Sequence, residues 1–171
     1  MLDHPIVRIG LLLKKVETIE TRKKFQKIVH ILQVMGAPFP ESYDYHHYGA
    51  YSAELRRELD AFKSEELIVE PEVNGQFPSF TVKPTAKLLQ LLEKLPNPEE
   101  AEWLTWASEL NGKSPRELEG ISTLLYFHQR LWPQASWRDK FATLKPQLAA
   151  QYERYETESL RLLETATKAA A

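Results

Sequence analysis

Among residue types that do covalent or metal chemistry, this chain offers histidine, serine and carboxylate but no cysteine. Thiolate nucleophiles, disulfides and Cys-ligated zinc are therefore excluded. The densest set of candidate metal ligands is Asp44, His46 and His47. Neighbouring side chains of an extended segment leave on opposite faces, so both imidazoles do not reach one ion. His4, His30 and His128 are scattered, and no His-Glu-x-x-His spacing occurs. Ser52 and Ser122 lack a nucleophile-elbow context. Glu65-Glu66 and Glu99-Glu100 are neighbours in sequence, not opposed acids, and the glycines are isolated from one another. With no nucleophile–base constellation, no catalytic residue is assigned, and no metal or cofactor is expected.

Binding chemistry is better represented. Lys14, Lys15, Arg22, Lys23, Lys24 and Lys27 crowd one short stretch, against Glu17 and Glu20. Such an array suits phosphate contact, and equally suits the solvated face of a helix. Arg56 and Arg57 would reach base edges or phosphates if their helix entered a groove. Glu54, Glu58 and Asp60 on the same helix would meet that groove unfavourably. The run Tyr43, Tyr45, His46, His47, Tyr48 and Tyr51 could stack bases or line a peptide groove. It could also pack alternate rings against the second and third helices. Two candidate sets follow: Arg22, Lys23, Lys24, Lys27, Ser52, Arg56 and Arg57 for nucleic acid, and Tyr45, His46, His47, Tyr48 and Tyr51 for a partner groove.

The elements that must position these residues are legible in outline. At 171 residues the chain is long enough to remove roughly 70% of its unfolded surface from water. A formal net charge of −2 is not that of a general nucleic-acid coat. No apolar run approaches the roughly 20 residues that span a bilayer, and the start lacks a basic signal-peptide region. The expected location is the cytoplasm. Helices are predicted over Pro5 to Val16, with Pro at the first position, and over Thr21 to Met35, with Gly36 as its stop. A third runs from an Ser52 cap to about Ser64. Two β-prone runs flanking Asn74-Gly75 read as a hairpin, with Pro71 and Pro78 keeping its strands short. Gly49 is expected for backbone reasons.

From Pro84 onward the pattern is helical. Asn97-Pro98-Glu99-Glu100 and Ser114-Pro115-Arg116-Glu117 both fit a capping box, and Ser136 heads a weaker one. The last helix is predicted from Pro146 to about Glu164, with a frayed alanine end. Trp103, Trp106, Trp132 and Trp137 fall in this half and are expected in the core between helices, with Trp106 at its edge; a dimer interface is the sharper alternative.

The order helix, helix, short strand, helix, hairpin predicts a winged helix-turn-helix core over residues 1–83. A helical region over residues 84–171 would pack on it. The chain is thus mainly α with a small β-hairpin. Three blocks also carry a resemblance. Arg22-Lys23-Lys24-Phe25-Gln26-Lys27-Ile28-Val29, the aromatic run ending in Gly49-Ala50-Tyr51-Ser52 with Glu54-Leu55 after it, and Leu118-Glu119 with Ser122-Thr123-Leu124-Leu125-Tyr126-Phe127 resemble the YwgA-like family of uncharacterised bacterial proteins. Ala50 stands where that family usually has Pro, which removes a fixed φ before the third helix. More distantly, the Gln26-Lys27 helix and the Gly49 turn are similar to the Panacea (SocA-like) domain, known from antitoxins and adaptors that bind protein partners.

The resemblance supports fold and class and implies no mechanism. A non-enzymatic, DNA-binding, transcription-regulator-like module comes first, by analogy with small winged-helix proteins, with double-stranded DNA as partner. The alternative is an adaptor or antitoxin-like module that binds a protein and no DNA. A homodimer is compatible with either, and no membrane contact is expected.

Overall fold

The computed structural model describes residues 4–47, 49–95 and 101–171. Tyr48 and the Asn97-Pro98-Glu99-Glu100 capping box lie outside them.

Helix α1 (Pro5–Val16) starts at Pro5, and the His4 ring accepts the Ile6 N–H at 3.2 Å. A two-residue strand, β1 (Ile19–Glu20), leads into α2 (Thr21–Val34). Gly36, at φ +102°, ends α2, and the Ala37 N–H returns to Leu32 O at 2.9 Å; this is the left-handed stop that glycine adopts without steric cost. The extended piece before the third helix is itself a hairpin. Strands β2 (Asp44–His46) and β3 (Gly49–Tyr51) pair antiparallel with Tyr45 opposite Ala50. Ser52 then caps α3 (Ala53–Ser64), its hydroxyl accepting the Leu55 N–H.

Strands β4 (Ile68–Val69), β5 (Glu72–Val73) and β6 (Ser79–Pro84) form the expected hairpin. Its turn is a five-residue connection over residues 74–78, not a two-residue Asn-Gly turn, and Pro71 separates β4 from β5, as a residue without an N–H must. β6 organises the sheet: it pairs with β4 and β5 on one side and with β1 on the other, placing Ile19 opposite Val82. β1 was not predicted, because two residues are too short to show an alternation.

Then follow α4 (Ala86–Glu93), α5 (Glu102–Asn111), α6 (Pro115–Gln129), α7 (Trp137–Leu144) and α8 (Tyr152–Ala170). Ser114 caps α6 as predicted. Ser136 does not cap α7: its backbone is already helical, and its hydroxyl donates back to Pro133 O. The last helix is divided, with a 3₁₀ segment over Pro146–Gln151 before α8. The helix runs through the expected frayed end to Ala170, where alanine favours the conformation and Ala169 is partly buried.

α2 lies at the centre. α5, α6, β3 and β6 all pack on it, so its predicted solvated face is confined to the first turn, where Lys23 is exposed and Arg22 half-buried. Lys24, Gln26, Lys27 and His30 are buried along with Phe25, Ile28 and Leu32. This corrects the amphipathic reading beyond the first turn: Lys24, Gln26 and Lys27 point inward to backbone carbonyls of the elements around α2, and His30 to the side chains of Ser122 and Gln129. α6 is likewise enclosed, between α2 and α8, and a Cβ on Gly120 would meet the Tyr155 ring at 2.6 Å. One core runs from Ile9 through Leu32 and Leu124 to Leu162. Trp103, Trp106 and Trp137 are buried in it, Trp106 included, whereas Trp132 is exposed. Among the described residues no helix is long and apolar enough to cross a membrane.

Candidate functional site

The placement of α3 depends on one glutamine. Gln26 Nε2 donates to Ser52 O, and the Ser52 N–H donates to Gln26 Oε1, both at 2.9 Å. Gln26 thus pairs with Ser52 as a neighbouring strand would, and joins α2 to the start of α3. Sequence reading gave Gln26 no role. It assigned Ser52 both a cap and a nucleic-acid contact. The cap is present; the contact is not available to a fully buried side chain, which corrects that assignment.

Beside this clamp, α2, the β2–β3 hairpin and α3 enclose a pocket of about 310 Å³, lined by Arg22, Lys23, Gln26, Lys27, His46, Tyr51, Arg56 and Leu59. It unites members of both candidate sets, which sequence reading had kept apart. Among the described residues no carboxylate lines it. Arg22 is held elsewhere, donating to Glu70 Oε1 and Oε2 at 2.7 and 2.9 Å and to Asp60 at 2.5 Å. Its guanidinium holds both carboxyls below the usual range, chiefly through these hydrogen bonds. Arg56 and Arg57 are exposed on α3. Two of the acids that counted against this helix are engaged with cations off it: Asp60 with Arg22, and Glu58 with Arg8.

Lys24 and Lys27, expected as surface phosphate contacts, are not surface residues. Lys24 Nζ donates to Asn111 O and Lys27 Nζ to Ala50 O, each at 2.8 Å. Lys27 lines the pocket from α2. Gly49, at φ +94°, leaves room for it: a Cβ there would stand 2.9 Å from Lys27 Nζ and 3.8 Å from Lys145 Nζ. Lys145 is itself buried and donates to Glu119 at 2.6 Å. Two buried ammonium groups thus lie near one carboxylate, which pairs with Lys145. Burial pushes Lys27 down to about 7, Lys145 and Lys23 repel its proton further, and Glu119 opposes them.

The aromatic run splits. Tyr43 and Tyr45 pack, Tyr43 against α2 and Tyr45 against α6: Tyr45 lies 5.4 Å from Tyr126 and Tyr43 lies 4.7 Å from His30, centroid to centroid. His46 and His47 are exposed. His46 meets Tyr51 at 5.2 Å, and both rings line the pocket.

Two further polar clusters were not foreseen. Arg8, predicted only as part of an amphipathic helix, is buried with Glu41 and donates to it at 2.9 and 3.1 Å and to Glu58 at 2.6 Å. Burial, followed by the neighbouring Glu41, raises the Glu58 carboxyl to about 7. Glu41 Oε2 and Glu58 Oε2 otherwise have no donor; a proton held by Glu58 supplies one.

The second cluster joins His30 to Ser122, with 2.7 Å between Nδ1 and Oγ. Backbone carbonyls fix its protons. Gln33 Nε2 donates to Phe39 O and Glu41 O, so Gln33 Oε1 accepts from Gln129 Nε2. Gln129 Oε1 therefore accepts from His30 Nε2, leaving Nδ1 to accept the Ser122 hydroxyl proton. Burial keeps His30 neutral, at about 4. The pair has a serine–base geometry, but both residues are fully buried, so the network orders the interface of α2 and α6. Among the described residues no group of histidines and acids is placed to hold a metal ion.

Compared with known proteins, the chain is similar to the uncharacterised protein YwgA of Bacillus subtilis strain 168, at 30% identity over 146 residues, which is 84% of each chain. It belongs to the YwgA-like family. No family model and no solved structure matches it.

Proposed function

We propose that this YwgA-like protein is a non-enzymatic docking module that binds a protein partner through its β5–β6 ribbon. The order α1, β1, α2, α3, β4–β6, with β1 returning onto β6, supports reading residues 1–83 as a winged helix carrying an inserted hairpin. The ribbon is then the wing. The observation that carries the reading is its composition. Val73, Phe77 and Phe80 are exposed, Phe77 by 81%, in a two-stranded element too thin to cover them. Glu72 is its exposed charged residue before Lys83, Glu70 being paired with Arg22. A DNA-grasping wing sets cations against phosphate, whereas exposed aromatic side chains without a cation among them suit a protein surface. The resemblance to Panacea-type adaptors points the same way.

Affinity capture with Phe77→Ser/Phe80→Ser tests this reading. The double variant should fold as the parent does and lose the partner; unchanged capture would exclude the wing. A second reading, DNA contact by α3, is supported by the exposed Arg56 and Arg57. It requires duplex binding that weakens steeply with salt and is lost in Arg56→Ala/Arg57→Ala.

A further inference from the structure

We infer that the pocket between α2, the β2–β3 hairpin and α3 binds a small phosphate monoester carrying a planar ring, of mononucleotide size. Charge, wall chemistry and volume each contribute.

The cations around the pocket differ in how far they are already neutralised. Arg22 is bound to Asp60 and Glu70, and Lys145 to Glu119. Lys27, by contrast, has a single carbonyl, Ala50 O, as its hydrogen-bond partner among the described residues. An ammonium group offers three donors, and a buried cation without a counter-charge is costly. Arg56 is exposed at the rim and touches no carboxylate among the described residues. Two such cations at one cavity match a dianion better than a single carboxylate.

The walls select the rest of the ligand. Much of the lining is carbon, from Leu59, the rings of His46 and Tyr51, and the aliphatic stems of the cationic side chains. An inorganic ion would satisfy Lys27 and leave those walls uncovered. A ring placed against His46 and Tyr51 would cover them. About 310 Å³ lies at the lower end of small-molecule sites, which run from about 300 Å³ upward. Gly49 leaves the Lys27 ammonium in place, since any side chain there would displace Nζ. This inference is independent of the wing: either one can fail without the other.

Calorimetric titration of the whole chain with nucleoside 5′-monophosphates, the matching nucleosides and inorganic phosphate tests it. At least one monophosphate should bind with Kd on the order of 10 μM, and its nucleoside at least about tenfold more weakly. Lys27→Met and Arg56→Ala should each weaken binding by about tenfold or more. Arg56 is exposed, so that variant serves even if Lys27→Met fails to fold. Absence of binding by every monophosphate overturns the proposal, as does equal binding by parent and Arg56→Ala. Inorganic phosphate binding as tightly as the monophosphates would remove the ring. Displacement of the monophosphate by duplex DNA would reassign the cations to a nucleic-acid backbone.

Discussion

Two buried ionic clusters in this protein are unbalanced in opposite directions. Arg8 serves two carboxylates, Glu41 and Glu58, while Lys27 and Lys145 lie near one, Glu119, which pairs with Lys145. The first cluster resolves its imbalance internally, because a carboxyl raised to about 7 can hold a proton between acceptors. The second can shed the Lys27 proton near neutrality or take up an anion from outside. Under the proposed reading the first cluster holds the fold and the second fits a site. Burial alone would not have distinguished them.

Substitutions that remove one member of each cluster should separate them further. The largest effect is expected at Arg8. Arg8→Met strands two carboxylates and should cost about 3–5 kcal/mol in urea unfolding. A neutral side chain on the inward face of α2 provides the scale: Gln26→Leu leaves the Ser52 N–H unpaired and Ser52 O with the Arg56 N–H alone, and should cost about 1–3 kcal/mol, with α3 loosened first in hydrogen exchange. Lys27→Met removes a poorly compensated cation and one hydrogen bond, so its stability should stay within about 1 kcal/mol of the parent near neutral pH. A loss at Lys27 as large as that at Arg8 would erase the distinction between the clusters.

The pH dependence separates the clusters as well. Lys27 titrates at about 7 in the folded chain against 10.5 ordinarily, so the unfolded chain binds more protons between these values. Stability should rise with pH across that window, and Lys27→Met should abolish the rise. Glu58 titrates at about 7 against 4.5, so the folded chain binds more protons and stability should fall as pH rises from about 4.5 to 7. Glu58→Gln should therefore exceed the parent by about 1 kcal/mol above neutrality and match it below about pH 4.5. His30, at about 4 against 6.5, contributes the opposite slope over nearly the same window. The Glu58 effect is therefore read as the difference between variant and parent.

Elements with local signals were legible in the sequence. Pro5, Gly36, Ser52 and Ser114 mark helix ends by chemistry that acts within a turn, and the structure has those ends. What could not be read was which helix is enclosed. α2 shows the periodicity of a surface helix, yet its lysines, glutamines and histidine serve carbonyls and side chains brought from 6 to 99 residues away. No window along the chain contains those partners. The site shows the same limit. The residues of the two candidate sets were named, but their convergence, and the burial of Lys24, Lys27 and Ser52, depend on contacts between α2, the hairpin and α3. The Arg8 cluster was invisible for the same reason, since Glu41 lies 33 residues beyond it and Glu58 lies 50.

The claim that the chain docks a protein through its wing is tested most directly by parallel capture from extract of the source cells, using the parent and Phe77→Ser/Phe80→Ser as baits. The account predicts a stoichiometric protein partner on the parent that is absent from the double variant, with the partner's retention little changed by added salt. Equal recovery on both baits, or nucleic acid released by salt as the material bound, would contradict it.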